Sequence, residues 1–404
     1  MSVGEHEFDR MWADLQPVGR DPRSGGYRRF AWSGPDLATR EWFAAEAARR
    51  GLDLTVDRNG NQWAWWGDPD GPGAGDAVVT GSHLDSVPDG GAFDGPLGVV
   101  SAFAAVDRLR ADGHRPDRPI GIVSFVDEEG ARFGVACAGS RLLTGSLDPD
   151  KARGLSDSDG TRMADAMEAA GHDPRHLGRD GDTLARIGTY VELHVEQGRA
   201  LVDGTAAVGV AHGIWPHGRW RLDLPGEANH AGTTRLADRD DPMLRLAAAV
   251  VTARDEAGRL GAVATVGRVE VTPNGTNAVP SLVRAWLDAR GEDEQAVRSV
   301  VAAVGGAAGT LPDEESWSPQ VAFDAPLRDR LARLLGGAPV LPTGAGHDAG
   351  VLAGAGIPTA MLFVRNPTGV SHSPAEHADR DDCLAGVDAL ATVLAELTGD
   401  GSAA

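Results

Sequence analysis

From about residue 35 to residue 210, helix-patterned segments alternate with short apolar runs, and this alternation restricts the possible folds more than any other feature of the chain. "DLATREWFAAEAARRG" reads as a helix, "AVVTGSH" as a strand, "PLGVVSAFAAVDRLRADG" as a helix and "IGIVSFV" as a strand; the helix "MADAMEAAG" and the strand "TYVELHVEQG" follow. Such an order predicts βαβ units and a mostly parallel sheet covered by helices. Pro96 in a first helical turn and Gly113 after a last one suit those boundaries.

Between about 212 and 324 the pattern changes. Strand "RWRLDLPG", helix "DPMLRLAAAVVTARDEAG", strands "AVATVGRVEV" and "SLVRAWLDARG", helix "DEQAVRSVVAAVGG" and a strand near "SWSPQVAFD" give β-α-β-β-α-β, the ferredoxin-like split βαβ. After it "GVLAGAGIPTAMLFV" and "DDCLAGVDALATVLAELTG" return to the first pattern. The expected class is therefore α/β, with one domain formed by 1–211 and 325–404 and a second domain, 212–324, inserted into it. No fixed-period repeat is visible.

Composition removes several function classes. A chain of 404 residues with formal net charge −21 repels phosphate backbones, and its arginines form no stripe, so nucleic acid is not an expected partner. No apolar run approaches the roughly 18 residues that a membrane-spanning helix needs. The start "MSVGEHEFDRMW" lacks the features of a secretory signal, which makes the cytoplasm the expected address. Lys151 is the only lysine, so phosphate-binding loops and Schiff-base chemistry have little to work with. Cys137 and Cys383 are too few for a disulfide framework and read as buried small hydrophobes.

The strand ends carry the chemistry. In "GSHLDSVPDGGAFDG" His83 and Asp85 stand two apart at the end of a strand, so extended backbone sends both to one side; one can ligate a metal while the other orients it. "IGIVSFVDEEG" ends in Glu128 and Glu129, adjacent carboxylates that need a cation or proton if buried. "TYVELHVEQG" places Glu192, His194 and Glu196 on one face, and "GVSHSPAEH" supplies His372, Glu376 and His377 after "TAMLFV". Singly, each stretch is an acidic turn or an incidental histidine. Together they put ligand-type residues on one rim of an open parallel sheet, where such folds bind ligands.

These motifs, with "GEANHAGTT", "PNGTNAVP" and "GAGHDAG" in the same order, resemble over nearly the whole chain the binuclear metal amidohydrolases. That group includes N-carbamoyl-L-amino-acid hydrolases, allantoate amidohydrolases and β-ureidopropionases, relatives of the co-catalytic aminoacylases and carboxypeptidases. The resemblance implies two divalent cations (zinc, or manganese, cobalt or nickel), one on His83, Asp94 and His194, the other on Asp94, Glu129 and His372, with Asp94 bridging. It implies Glu128 as the proton shuttle and a cis Asp94–Gly95 peptide, while the spacing already gives Asp85 its catalytic part, to orient His83. The inserted domain resembles the family's lid and dimerisation domain, which implies a homodimer. There His230 and Asn277 would stabilise an oxyanion and Arg290 would hold the substrate carboxylate, with Gln197 a further contact for the ureido group. "HAGTT" is followed here by Arg235 and Leu236 rather than the family's usual Pro-Met, and His212, Trp215 and His217 match nothing assignable.

The expected activity is hydrolysis of a small ureido acid, an N-carbamoyl-L-α-amino acid first, allantoate second, β-ureidopropionate third. Three rivals stand against it. A Cys137 nucleophile lacks a base in its local sequence "GVACAGSR", a serine elbow lacks the final glycine in "GVSHS", and a silent binding protein on the same scaffold would need no intact ligand set.

Overall fold

Four of the apolar runs become adjacent parallel strands, in the order Ile120–Phe125, Ala77–His83, Ile187–Val195, Thr359–Val364. Every residue of Ala77–His83, Ile120–Phe125 and Thr359–Val364 is buried. Parallel strands covered on both faces show unbroken apolar runs rather than alternation, which is how they read in the sequence. The computed structural model describes residues 3–72 and 74–399. Its two units are one that takes the chain to His212 and resumes at Ala322, and a second, Gly213–Val321.

In the first unit antiparallel strands extend the parallel centre into a nine-stranded sheet. Gln62–Trp66 pairs with Ile120–Phe125 and with Asp53–Val56, and Val208–Ile214 pairs with Thr359–Val364. The hairpin between Asp53–Val56 and Gln62–Trp66 turns on Asp57, whose carboxylate accepts the N–H groups of Asn59 and Asn61 at 2.9 and 3.0 Å. Helices Pro96–Ala111 and Arg380–Thr398 pack together over the sheet, with Phe103, Val393 and Leu394 fully buried. Burying side chains of this size stabilises by roughly 1.5–3 kcal/mol each.

The second unit has a four-stranded antiparallel sheet in the order Asp313–Ser318, His217–Pro225, Leu282–Gly291, Ala262–Thr272. Helices Pro242–Leu260 and Glu294–Ala308 pack with it around Leu222, Leu246, Leu287 and Val300. The stretch "SWSPQVAFD", expected as one strand, is two. Asp313–Ser318 ends before Pro319, and Val321–Ala322 belongs to the nine-stranded sheet. Proline has no N–H for a ladder, so it divides the run.

Candidate metal centre

The ends of the four parallel strands carry the site. His83 is the last residue of its strand, Glu128 and Glu129 follow Ile120–Phe125, His194 is next to last in Ile187–Val195, and His372 stands in the loop after Thr359–Val364. Asp94 comes from the loop that leads into helix Pro96–Ala111.

Asp94 is the hub. Its Oδ1 lies 3.5 Å from His83 Nε2 and 3.2 Å from His194 Nε2, and its Oδ2 lies 3.4 Å from His372 Nε2. Glu129 Oε2 is 3.6 Å from His372 Nε2. Four triads among the described residues could each hold an ion, and two of them share Asp94: His83–Asp94–His194 and Asp94–Glu129–His372; the others are Glu192–His194–His347 and His83–Glu128–Glu129. Two donor atoms about 2.1 Å from one tetrahedral ion stand about 3.4 Å apart, so the spacing suits zinc-type ligation.

The tautomers agree with that use. His83 Nδ1 lies 3.2 Å from the Asp85 carbonyl oxygen and His194 Nδ1 lies 2.9 Å from the Val195 carbonyl oxygen. Each Nδ1 therefore donates, leaving a lone pair on Nε2. Both Nε2 atoms are enclosed and have no hydrogen-bond partner. An enclosed, unpartnered nitrogen costs about 1–3 kcal/mol, and a cation between the three groups removes that cost. The donor set fits a pair of divalent cations.

The electrostatics point the same way. Burial alone would raise the Asp94 carboxyl, but His194, His372 and His83 outweigh it and hold the group well below the usual carboxylate range. Burial, followed by repulsion from Asp94, pushes Glu129 up to about 7. Burial raises Glu128 well above its ordinary value; His83 opposes this, and Asp348, Glu129 and Asp85 add to it. The contact with Asp94 raises half-exposed His372 to about 9. So much concentrated acid in low dielectric calls for positive charge.

A second layer of contacts fixes the ligands. The two oxygens of Asp85 accept the backbone N–H groups of Glu128 and Glu129, both at 3.1 Å, so its carboxylate orients the catalytic loop while its carbonyl orients His83. Glu376 Oε1 accepts the N–H groups of Phe93 and Asp94 at 2.8 and 2.9 Å. Gln197 Nε2 donates to Asp94 Oδ2 at 2.8 Å, and the Ser371 hydroxyl lies 3.0 Å from the same oxygen. Of the other strand-end residues, Glu192 accepts from Ser82 and Ala349, Glu196 accepts the N–H groups of Ala200 and Leu201, and exposed His377 faces Asp379.

The Asp94–Gly95 peptide is trans, because Thr272–Pro273 is the one cis bond among the described residues. Glycine replaces that device: Gly95 turns the chain at φ 84°, and a Cβ there would overlap the His83 ring. Gly95→Ala is therefore expected to displace His83 and reduce metal content and turnover together. Metal analysis of the purified variant checks this, and a fully loaded, active variant would contradict it.

Two residues near the ligands, His347 and Ser371, escaped the sequence reading of roles, and a third, Cys137, gains a neighbour there. His347 stacks edge-on against His194 with centroids 4.5 Å apart; burial pushes its imidazole well below the usual value and its Nε2 has no partner. The signal was there in "GAGHDAG", but the histidine precedes a helix and follows no predicted strand. Ser371 is one residue from His372, and nothing in its type marks it. Cys137 lies 3.3 Å from Glu128 Oε1, so the tertiary structure supplies the carboxylate that the local sequence lacked. Burial and that neighbour push its thiol well above the usual value, which opposes a nucleophilic role.

His230, Asn277 and Arg290 belong to the second unit. His230 and Ala278 pair in a short ladder, and the Ala231 N–H donates to the Asn277 carbonyl. His230 Nδ1 accepts from Gly232 and Thr233 at 3.0 and 3.2 Å, so its proton sits on Nε2. Arg290 donates through Nε and Nη2 to the two oxygens of Asp288 at 2.6 and 2.9 Å.

Comparison with known proteins gives the family. Residues 79–396 match peptidase family M20/M25/M40. The chain is 36% identical to an N-carbamoyl-L-amino acid amidohydrolase of Geobacillus stearothermophilus, over 96% of this chain and 97% of that one. It is 32% identical to an allantoate amidohydrolase of Escherichia coli strain K12, over 95% of each. Among solved structures it is similar to AtUAH in complex with (S)-hydroxyglycine, with TM-score 0.86, 26% identity and 99% coverage of both chains. It is also similar to a hydantoinase/carbamoylase family amidase of Burkholderia ambifaria, with TM-score 0.80, 30% identity and 98% coverage of both.

Proposed function

The chain belongs to peptidase family M20/M25/M40 and is a hydrolase of C–N bonds, and from that premise we propose that it hydrolyses N-carbamoyl-L-α-amino acids with two divalent cations at the Asp94 centre. The observation that carries the proposal is the meeting of His83, His194, His372 and Glu129 around one shared aspartate. Allantoate is the second candidate, on the strength of the relatives that bear its name.

Bound cations would supply Lewis acidity and bring the pKa of water toward neutrality. The chain's own residues do the rest. Glu128, next to a ligand, takes a proton as the water oxygen bonds to the carbamoyl carbon. It returns the proton to the nitrogen as the C–N bond breaks, releasing ammonia and a carbamate that decomposes to carbon dioxide and the amino acid. His230, protonated on Nε2, and Asn277 are donors for the developing oxyanion. Arg290, whose guanidinium offers paired N–H donors, suits the substrate carboxylate.

The proposed assembly is a homodimer formed through the second unit. Leu244 and Val251 of helix Pro242–Leu260 are 71% and 60% exposed, and Val263 and Val269 lie exposed on the edge strand Ala262–Thr272. An exposed apolar edge of this kind invites pairing with a second copy. The placement of the roles supports it too. His230 and Asn277 lie beyond the Leu282 end of strand Leu282–Gly291, whereas Arg290 is eight residues away toward its other end, roughly 26 Å along an extended chain. One copy of this unit cannot bring both ends to one small molecule.

Ammonia release over a panel of N-carbamoyl-L-amino acids, allantoate, ureidopropionate and dipeptides, with and without chelator, tests the activity. Turnover that survives complete metal removal, or is confined to dipeptides, would overturn it. The dimer has its own test: His230→Ala and Arg290→Ala proteins, each inactive alone, are expected to recover about a quarter of wild-type activity when co-refolded, since random pairing leaves one intact site in half the dimers. No recovery would place both residues in one subunit's site.

A further inference from the structure

Six backbone groups of the turn that carries Glu128 are tied by neighbours. The N–H groups of Cys137, Ala138 and Gly139 donate in order to the carbonyls of Glu128, Asp127 and Val126. Asn61 Oδ1 accepts from the Val126 N–H at 3.0 Å, and Asp85 accepts from the N–H groups of Glu128 and Glu129. The backbone is thus held rigidly, and the position of the Glu128 carboxylate depends on its side-chain torsions.

Those torsions have one hydrogen-bonding anchor among the recorded contacts. The Cys137 thiol donates to Glu128 Oε1 at 3.3 Å, while Glu128 Oε2 points the other way, 3.7 Å from His83 Nε2. Both side chains are buried, so water does not compete for Oε1. The two oxygens are therefore distinct: one is tied to sulfur and the other faces the ligand cluster. A thiol is a weak donor, but next to a carboxylate in a dry site the bond is charge-assisted.

We infer that Cys137 is a positioning residue that holds Glu128 Oε1, so that Oε2 is the oxygen that exchanges the proton with water and leaving nitrogen. The catalytic part of this inference rests on the activity proposed above. The thiol keeps its own proton throughout, and no bond to sulfur forms or breaks. Cys137 acts through Glu128, and a small misplacement of a proton-transfer group is enough to cost orders of magnitude in rate.

The fully metal-loaded protein, assayed with N-carbamoyl-L-amino acids, supplies the test. Cys137→Ala is expected to lower kcat about tenfold, the scale of one lost hydrogen bond, with KM and metal content unchanged. Cys137→Ser, which restores a donor, should stay within about threefold of wild type. Equal losses in the two variants, or none in Cys137→Ala, would overturn the assignment. A second measurement needs no turnover: the infrared S–H stretching band that disappears in Cys137→Ala should shift in Glu128→Gln. An unmoved band refutes the thiol–carboxylate bond. A shifted band in a protein that cleaves no ureido substrate would leave the pair standing and remove the proposed activity instead.

Discussion

Glu128→Gln is expected to lower kcat by about a thousandfold, within the range that a positioned acid–base group contributes, while the metal content stays that of the wild type. The amide keeps the volume of the buried side chain and can still face His83, so folding and ligation by Glu129 are not disturbed. What it loses is the ability to take a proton. Burial, together with Asp348, Glu129 and Asp85, raises the Glu128 carboxyl well above its ordinary value, against the pull of His83. A carboxylate at that place can accept a proton from water and, once protonated, donate it to the leaving nitrogen. Steady-state kinetics with metal analysis on the same preparation checks the prediction. Retention of most turnover at full metal content would assign the proton to another group.

Asp94→Ala is expected to remove both ions and bring turnover to background, whereas His372→Ala should empty one position and leave the other measurable. The asymmetry follows from geometry, because Asp94 alone belongs to both His83–Asp94–His194 and Asp94–Glu129–His372. Each candidate ion has three protein ligands, and losing one of three weakens a catalytic-type site severely. Metal content per chain after dialysis against a defined free-metal buffer distinguishes the cases. Two ions retained in Asp94→Ala would show that the positions do not share this carboxylate.

Much of the site was legible before any coordinates. Alternating "AVVTGSH", "IGIVSFV" and "TYVELHVEQG" with helices placed His83, Glu128, Glu129 and His194 at strand ends, and a parallel sheet gathers such ends on one rim. Spacing alone does not separate residues where side-chain direction decides the contact. Glu192, His194 and Glu196 share one strand face in the sequence, yet only His194 meets Asp94, because Glu192 turns to Ser82 and Ala349 and Glu196 turns to Ala200 and Leu201. The Asp85 carboxylate stands 3.4 Å from His83 Nδ1, the neighbour its spacing suggested, and its oxygens also accept two backbone N–H groups from another loop, which spacing did not show.

The order of residues along the chain determined that ligand-type side chains would stand at the ends of four strands, because strand patterning and turn chemistry are local and act within a few residues. Which of those side chains converge was decided only in three dimensions. Asp94 meets His372 across 278 positions of sequence, and Cys137 finds Glu128 by way of a left-handed turn. Contacts of that kind depend on packing and on competition for a limited number of donors and acceptors, and no local pattern encodes the winner.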